Sequence, residues 1–338
     1  MTNEESRHEK APSRIEKELT KLIKSLPAGK KLPGVKKLAQ KFGSSVATVD
    51  KILAKLEIKG LVERKPRSGT YVASGKDSLR EVPFLIPFTI DEFTYRVLSG
   101  LFEENLNVKT IPLEHFSRYE KFLEESDYIV ILPESINSPR AHLNKRIVDF
   151  LSEKGKKLIF VDRRTITTAI SITFDNRKAG KKMATEIEKI AKKENSFPGR
   201  KVLYIEPPVR AYTTEQRLLG LKEKLESSGW HIDEFREDIK NLKRKVMESF
   251  DILIASDDTT AEKVLIKILK EGMRIPEDVK LASFGGFYLS KELPLRLTTL
   301  LLPVEELGRM AAKAVIEKLE PPAEILVEPG EIARGETL

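Results

Sequence analysis

Carboxylates and guanidiniums recur in this chain directly after short apolar runs. Asp91 follows Pro83–Phe88, Glu134 follows Tyr128–Leu132, and Asp162-Arg163-Arg164 follows Lys157–Val161. Further along, Arg210 follows Lys201–Glu206, Asp257-Asp258 follows Asp251–Ala255, and Gly285-Gly286-Phe287 follows Val279–Phe284. Such groups gathered around one cleft suit a polyhydroxylated or anionic small molecule, through bidentate hydrogen bonds and an apolar ring face. Each also has a plainer use as a helix cap, as Asp257 or Asp258 would serve a helix opening near Thr259. A second chemistry is carried by cations. Residues 1–76 hold 18 Lys+Arg against 8 Asp+Glu, a net of +10, while the remainder nets −2. A basic head on a near-neutral body is the charge distribution of a phosphate-backbone binder joined to something else.

Covalent and metal chemistry finds little support. There is no cysteine, and His8, His115, His142 and His231 are scattered without metal-ligand spacing. No Gly-x-x-x-x-Gly-Lys loop, no Gly-x-Gly-x-x-Gly after a strand and no Gly-x-Ser-x-Gly elbow occurs. The expectation is therefore no catalytic residue, no metal and no cofactor. The enzyme alternative is a cytoplasmic carbohydrate-modifying enzyme with a nucleic-acid-binding appendage. With 40% hydrophobic and 33% charged residues, the 338-residue chain builds real cores in two or three domains. No run approaches the roughly 18–20 apolar residues of a membrane span, and the polar start lacks a signal-peptide core. A cytoplasmic protein without membrane contact is expected, with residues 1–12 disordered.

In the head, Ser13 and Glu16 are spaced as a capping box opening a helix whose stripe is Ile15, Leu19, Leu22, Ile23 and Leu26. A short second helix runs from Val35 to Phe42, Gly43 makes a tight turn, and Ser44 or Ser45 caps a third helix. That helix buries Val49, Ile52, Leu53 and Leu56 and ends at Gly60. Leu61–Arg64 and Thr70–Val72 read as strands around the turn Pro66-Arg67-Ser68-Gly69. Helix, helix, turn, helix and hairpin make a winged helix-turn-helix over residues 13–73. The partner of such a unit is double-stranded operator DNA, read from the major groove. The contact residues expected are Lys36, Lys37, Ser44, Ser45, Ala47, Thr48, Lys51, Arg67, Ser68 and Gly69, with Lys55, Arg64 and Lys65 adding charge.

The run Leu32-Pro33, Lys37-Leu38-Ala39, Phe42-Gly43-Ser44-Ser45, Thr48-Val49, Gly60-Leu61-Val62 and Arg67-Ser68-Gly69-Thr70-Tyr71-Val72 resembles the GntR-type winged-helix domain of bacterial repressors. Two positions depart. Gly34-Val35-Lys36 stands where that family usually has Ser-Glu-Arg, and Val46 where it usually has an operator-contacting Arg. The resemblance implies the same docking mode with altered base readout.

After a short polar linker at 74–81, apolar runs alternate with amphipathic stretches, the signature of parallel sheets with helices on both faces. Two successive series, the second beginning at Lys201, predict an α/β, two-lobed, doubly wound body whose ligand lies at strand carboxyl ends between the lobes. Phe160-Val161-Asp162-Arg163, Phe174-Asp175-Asn176, Ala179-Gly180, Glu215-Gln216-Arg217, Gly220, Asp257-Asp258-Thr259-Thr260-Ala261, Leu297-Thr298-Thr299-Leu300 and Glu306-Leu307-Gly308 follow in order. Together they resemble the effector-binding domain of LacI/GalR regulators, similar to periplasmic sugar-binding proteins. The resemblance implies ligand contacts from Arg217 and Asp258, with Asp162 or Arg163 lining the cleft. Ser283-Phe284-Gly285 stands where those regulators often have Gly-Phe-Asp, so an unusual or acidic sugar joins the candidates. Lobe 1 is expected at about 82–174 and 299–322, and lobe 2 at about 175–298 and 323–338. A ligand-controlled homodimer follows, its dimer face expected around Phe93–Phe102 and Ile147–Leu151.

Overall fold

The structure, a computed structural model, describes residues 11–27, 29–58, 60–65, 68–73, 81–104, 106–136, 138–162, 168–194, 197–286 and 295–338. The expected disorder of residues 1–10, the linker residues 74–80, and Arg67, Arg163, Arg164 and Phe287 lie outside them. Two compact units divide between Glu81 and Val82.

In the head, α1 (Ala11–Lys24) already includes residues 11 and 12, and it places Ser13 inside the helix. Ser13 is therefore not its cap, because a cap must precede the first turn. α2 (Val35–Phe42) ends at Gly43, whose left-handed φ of 61° lets the Gly43 and Ser44 N–H groups close back on Gln40 and Ala39. α3 (Val46–Ile58) follows, capped by Ser45, whose Oγ accepts from the Thr48 N–H at 3.0 Å. Ile15, Leu19 and Ile23 of α1 meet Leu38, Val49, Leu53 and Leu56 in one small core. Each such side chain contributes about 1.5–3 kcal/mol through burial. β1 (Val62–Lys65) and β2 (Gly69–Val72) pair antiparallel as the wing, and Leu32 and Lys30 join its edge through Thr70 and Val72.

The body holds two six-stranded sheets. The first runs β13-β7-β6-β5-β3-β4, all parallel: β3 is Val82–Ile86, β4 Val108–Pro112, β5 Tyr128–Ile131, β6 Lys157–Val161, β7 Ile170–Phe174 and β13 Ala323–Val327. The second runs β14-β12-β11-β10-β8-β9: β8 is Lys201–Ile205, β9 His231–Phe235, β10 Ile252–Ala255, β11 Lys280–Gly285, β12 Thr298–Leu301 and β14 Ile332–Ala333, with only the β12–β14 pair antiparallel. The central strands are apolar on both faces because helices cover both. These helices include α4 (Glu92–Glu103), α5 (Glu120–Glu125), α6 (His142–Glu153), α7 (Asn176–Glu194), α8 (Tyr212–Leu225), α9 (Arg244–Met247), α10 (Asp258–Lys270) and α11 (Val304–Ile316).

Strand membership corrects the expected lobe boundaries. Residues 299–301 belong to β12 beside β11 in lobe 2, and 323–327 form β13 beside β7 in lobe 1. The backbone ladder decides this, and short edge strands carry too few side chains to announce their partner. The chain thus crosses between lobes three times, at 174–176, 301–304 and 327–332. The crossings are stitched together at strand ends: Asp175 N–H donates to Val327 O at 2.9 Å, Leu301 N–H to Glu331 O at 3.0 Å and Gly330 N–H to Leu301 O at 2.8 Å.

Two pairs of helices approach unusually closely. A Cβ on Gly100 of α4 would lie 1.8 Å from Glu305 O, and one on Gly308 of α11 2.0 Å from Val97 O. In lobe 2, a Cβ on Gly180 of α7 would lie 2.1 Å from Arg217 O, and one on Gly220 of α8 2.0 Å from Arg177 O. Among the described residues, no helix is long and apolar enough to cross a membrane.

Candidate nucleic-acid face and effector cleft

On the head, Lys36, Lys37, Ala47 and Lys51 are exposed. No ion pair joins any of these lysines to another described residue, so their charge is available to an anion. Ser45 and Thr48 serve the helix locally, since their hydroxyls lie 2.8 Å apart and Ser45 caps α3. Lys55 is tied to Glu16 at 3.1 Å and Arg64 to Asp50 at 2.5 Å, so these two cations hold the head together. On the wing, Ser68 Oγ lies 2.6 Å from the Tyr71 hydroxyl, and Lys31 and Lys65 sit 5.7 and 5.3 Å from the Tyr71 ring centre. Gly69 has φ 115°, and a Cβ there would meet Lys31 Cε at 2.9 Å. Tyr71 and Lys31 were not foreseen; an aromatic in a basic hairpin is the signal that would have found them.

In the body, the parallel strands of each sheet deliver their carboxyl ends to one edge, and the three crossings link those edges of the two lobes. Lobe 1 contributes Glu134, buried, with Oε1 accepting from the Phe88 N–H at 3.2 Å and its backbone clasped by the Asn144 amide at 2.9 Å. Asp162 follows β6 with φ 68°, its N–H donating to Ile172 O at 2.7 Å. Asp91 plays the plainer part: Oδ1 accepts from Thr94 N–H and Thr94 Oγ1, both at 2.8 Å, capping α4.

Lobe 2 contributes a continuous polar group. Arg217, buried on α8, donates from Nε to Asn176 Oδ1 at 2.8 Å and from Nη1 to Ser256 O at 2.6 Å, with its guanidinium 5.4 Å from the Phe284 ring centre. Ser256 Oγ in turn donates to Asp257 Oδ2 at 2.8 Å, while Asp257 Oδ1 caps α10 through Thr260 N–H. Asp258, only 1% exposed, accepts from Ser283 Oγ at 2.7 Å and Thr299 Oγ1 at 3.1 Å. Gly285 follows Phe284 at the end of β11.

Arg210 is not a free cation. It is bonded to the fully buried Glu206 and to Glu234, and the Glu206 hydrogen bonds hold its pKa above the ordinary arginine value. Thr214 Oγ1 supplies a further donor to Glu206 at 2.9 Å. Beneath this group, Tyr204 donates its hydroxyl to Thr214 O at 2.9 Å, and burial pushes its pKa well up. Two exposed aromatic groups were missed by the sequence reading: Phe88 at 50% in the loop after β3 and Tyr212 at 41% at the start of α8. Arg140 stacks on Phe88 at 4.7 Å. Polar groups fixed among aromatic faces are the equipment of a sugar site. Among the described residues, no group of three or more His, Asp or Glu is placed to hold a metal ion.

Residues 166–338 match the model of the periplasmic binding protein-like domain; the match takes in lobe 2, β7, α11 and β13 of lobe 1, and all three crossings. The chain belongs to that family. Residues 12–72 match the model of bacterial regulatory proteins of the gntR family, so this family member carries a regulator's head. Its similarity to the ribose operon repressor of Halalkalibacterium halodurans is 25% identity, covering 85% of this chain and 90% of that protein. The ribose operon repressor of Bacillus subtilis is 23% identical, covering 87% and 94%. The crystal structure of a LacI family transcriptional regulator from Enterococcus faecalis with bound ribose superposes with a TM-score of 0.59 at 16% identity, covering 76% of this chain and 98% of that one. It shares the fold of the periplasmic binding protein-like body.

Proposed function

We propose that the chain is a sugar-responsive transcriptional repressor. Its head binds operator DNA through α3 and the wing, and a small sugar of ribose size in the interlobe cleft controls that binding. The observation that carries the reading is the combination, in one chain, of Lys36, Lys37 and Lys51 on a helix-turn-helix, unpaired among the described residues, with the buried Arg217 and Asp258 groups of lobe 2. Similarity to two ribose operon repressors over most of their length supports it. The sugar acts by linkage: it binds one lobe arrangement more tightly than the other, a coupling of about 1–3 kcal/mol in typical cases.

The protein works as a cytoplasmic homodimer in this reading, one head for each half of a two-fold operator. The dimer face expected at Ile147 and Leu151 is corrected, since both are in the lobe 1 core. Tyr95 and Phe102, on the outer side of α4 at 67% and 51% exposure, are the better candidates. A mobility-shift assay on DNA upstream of the chain's own gene, with and without ribose and related pentoses, tests the function. Retention that a pentose alters is the expected result. Failure to retain any upstream fragment overturns it.

A further inference from the structure

Val46 opens α3 and leaves 47% of its surface in solvent, although Val49, Ile52, Leu53 and Leu56 of the same helix are buried. It is not an isolated exposed side chain. With Pro33 and Val35 it lines an open hollow of about 810 Å³, which Lys31, Lys36 and Lys37 line as well. Asp50 borders the same hollow, but Arg64 holds its carboxylate at 2.5 Å and offsets the charge that would repel a phosphate. The hydroxyls of Ser45 and Thr48 are occupied with one another and with the helix cap. The first turn of α3 therefore offers outward apolar groups, Val46 and Ala47, and Val46 shares the hollow with the ammonium groups of Lys31, Lys36 and Lys37.

Lysines beside apolar groups complement duplex DNA, with phosphates at the lysines and an apolar base substituent on the apolar groups. In the major groove the one apolar substituent on a base edge is the C5-methyl of thymine. We propose that Val46 is a specificity-determining residue that reads a thymine methyl in each operator half-site. This rests on the DNA-binding reading of the head. It adds which base is read and by what contact: burial of a methyl group, with no hydrogen bond.

The test is a cycle between one side chain and one methyl group. The full chain selects duplexes from a random pool. The selected site is then remade with each thymine replaced in turn by uracil, which lacks only the methyl. Binding of the wild type and of Val46→Ala is measured on every duplex. At one thymine of each half-site, uracil should weaken wild-type binding about three- to fivefold, the worth of one buried methyl. At that position Val46→Ala should bind the two duplexes equally, with an unchanged salt slope. The proposal is overturned if uracil weakens wild-type binding nowhere, or if Val46→Ala keeps the wild-type sensitivity at every thymine. A selection that enriches no duplex over the random pool is a different result: it removes the DNA-binding reading itself, and this proposal with it.

Discussion

Asp258 shows how much of the body's specificity rests on single buried groups. Its carboxylate receives hydroxyls from Ser283 on β11 and Thr299 on β12, so one side chain joins two strands and the start of α10. Asp258→Ala removes the acceptor of two buried hydroxyls, and each donor left unsatisfied costs about 1–3 kcal/mol. Urea denaturation should show a matching drop in stability, with Asp258→Asn recovering part of it; an unchanged midpoint for the alanine variant would refute the assignment. The same residue marks the limit of reading a sequence. Asp91, Asp257 and Asp258 have the same composition and the same strand-end setting. Only geometry separates a cap that serves Thr94, a cap that also meets Ser256, and a carboxylate bridging two strands. Ser45 and Thr48 likewise sit where a DNA contact was expected, yet their hydroxyls serve α3 first. The pairing of Arg210 with Glu234 gave no signal, because Glu234 lies on β9, 24 residues away.

At the scale of elements, period and punctuation carried the reading well. β6 begins and ends at the expected residues, and α2 runs from Val35 to Phe42 between Gly34 and Gly43 as its glycines demand. What escaped were β12, β13 and β14, three short pieces of at most five residues; β13 pairs with β7, from which all of lobe 2 separates it in sequence. Alternation can mark a strand, but it cannot say which sheet will accept it. The glycine pairs are more legible in retrospect. Gly100 with Gly308 and Gly180 with Gly220 let backbones touch where any side chain would hold them apart. Gly308→Ala should therefore lose about 1–3 kcal/mol to overpacking, outweighing alanine's roughly 1 kcal/mol advantage within a helix. Thermal unfolding of the two proteins side by side measures the balance, and a more stable alanine variant would mean that α4 and α11 are not in this contact.

For the whole molecule, charge and connectivity divide the labour. The +10 of residues 1–76 and the −2 of the remainder predict that the two binding events respond differently to salt. Between 50 and 200 mM salt (roughly the range in which phosphate binders lose several orders of affinity) DNA binding should weaken steeply. Sugar binding, measured by thermal shift over the same range, should barely move. Equal salt responses would contradict the partition. The three lobe crossings carry a consequence of their own. One covalent strap would leave two rigid bodies free to tumble, and two would still allow twisting about the line that joins them. Three straps, laced together by the Asp175–Val327, Leu301–Glu331 and Gly330–Leu301 hydrogen bonds, leave little beyond a single swing. Cleft occupancy is thereby converted into one angle, and a one-dimensional displacement is a signal that a chain can pass on without ambiguity.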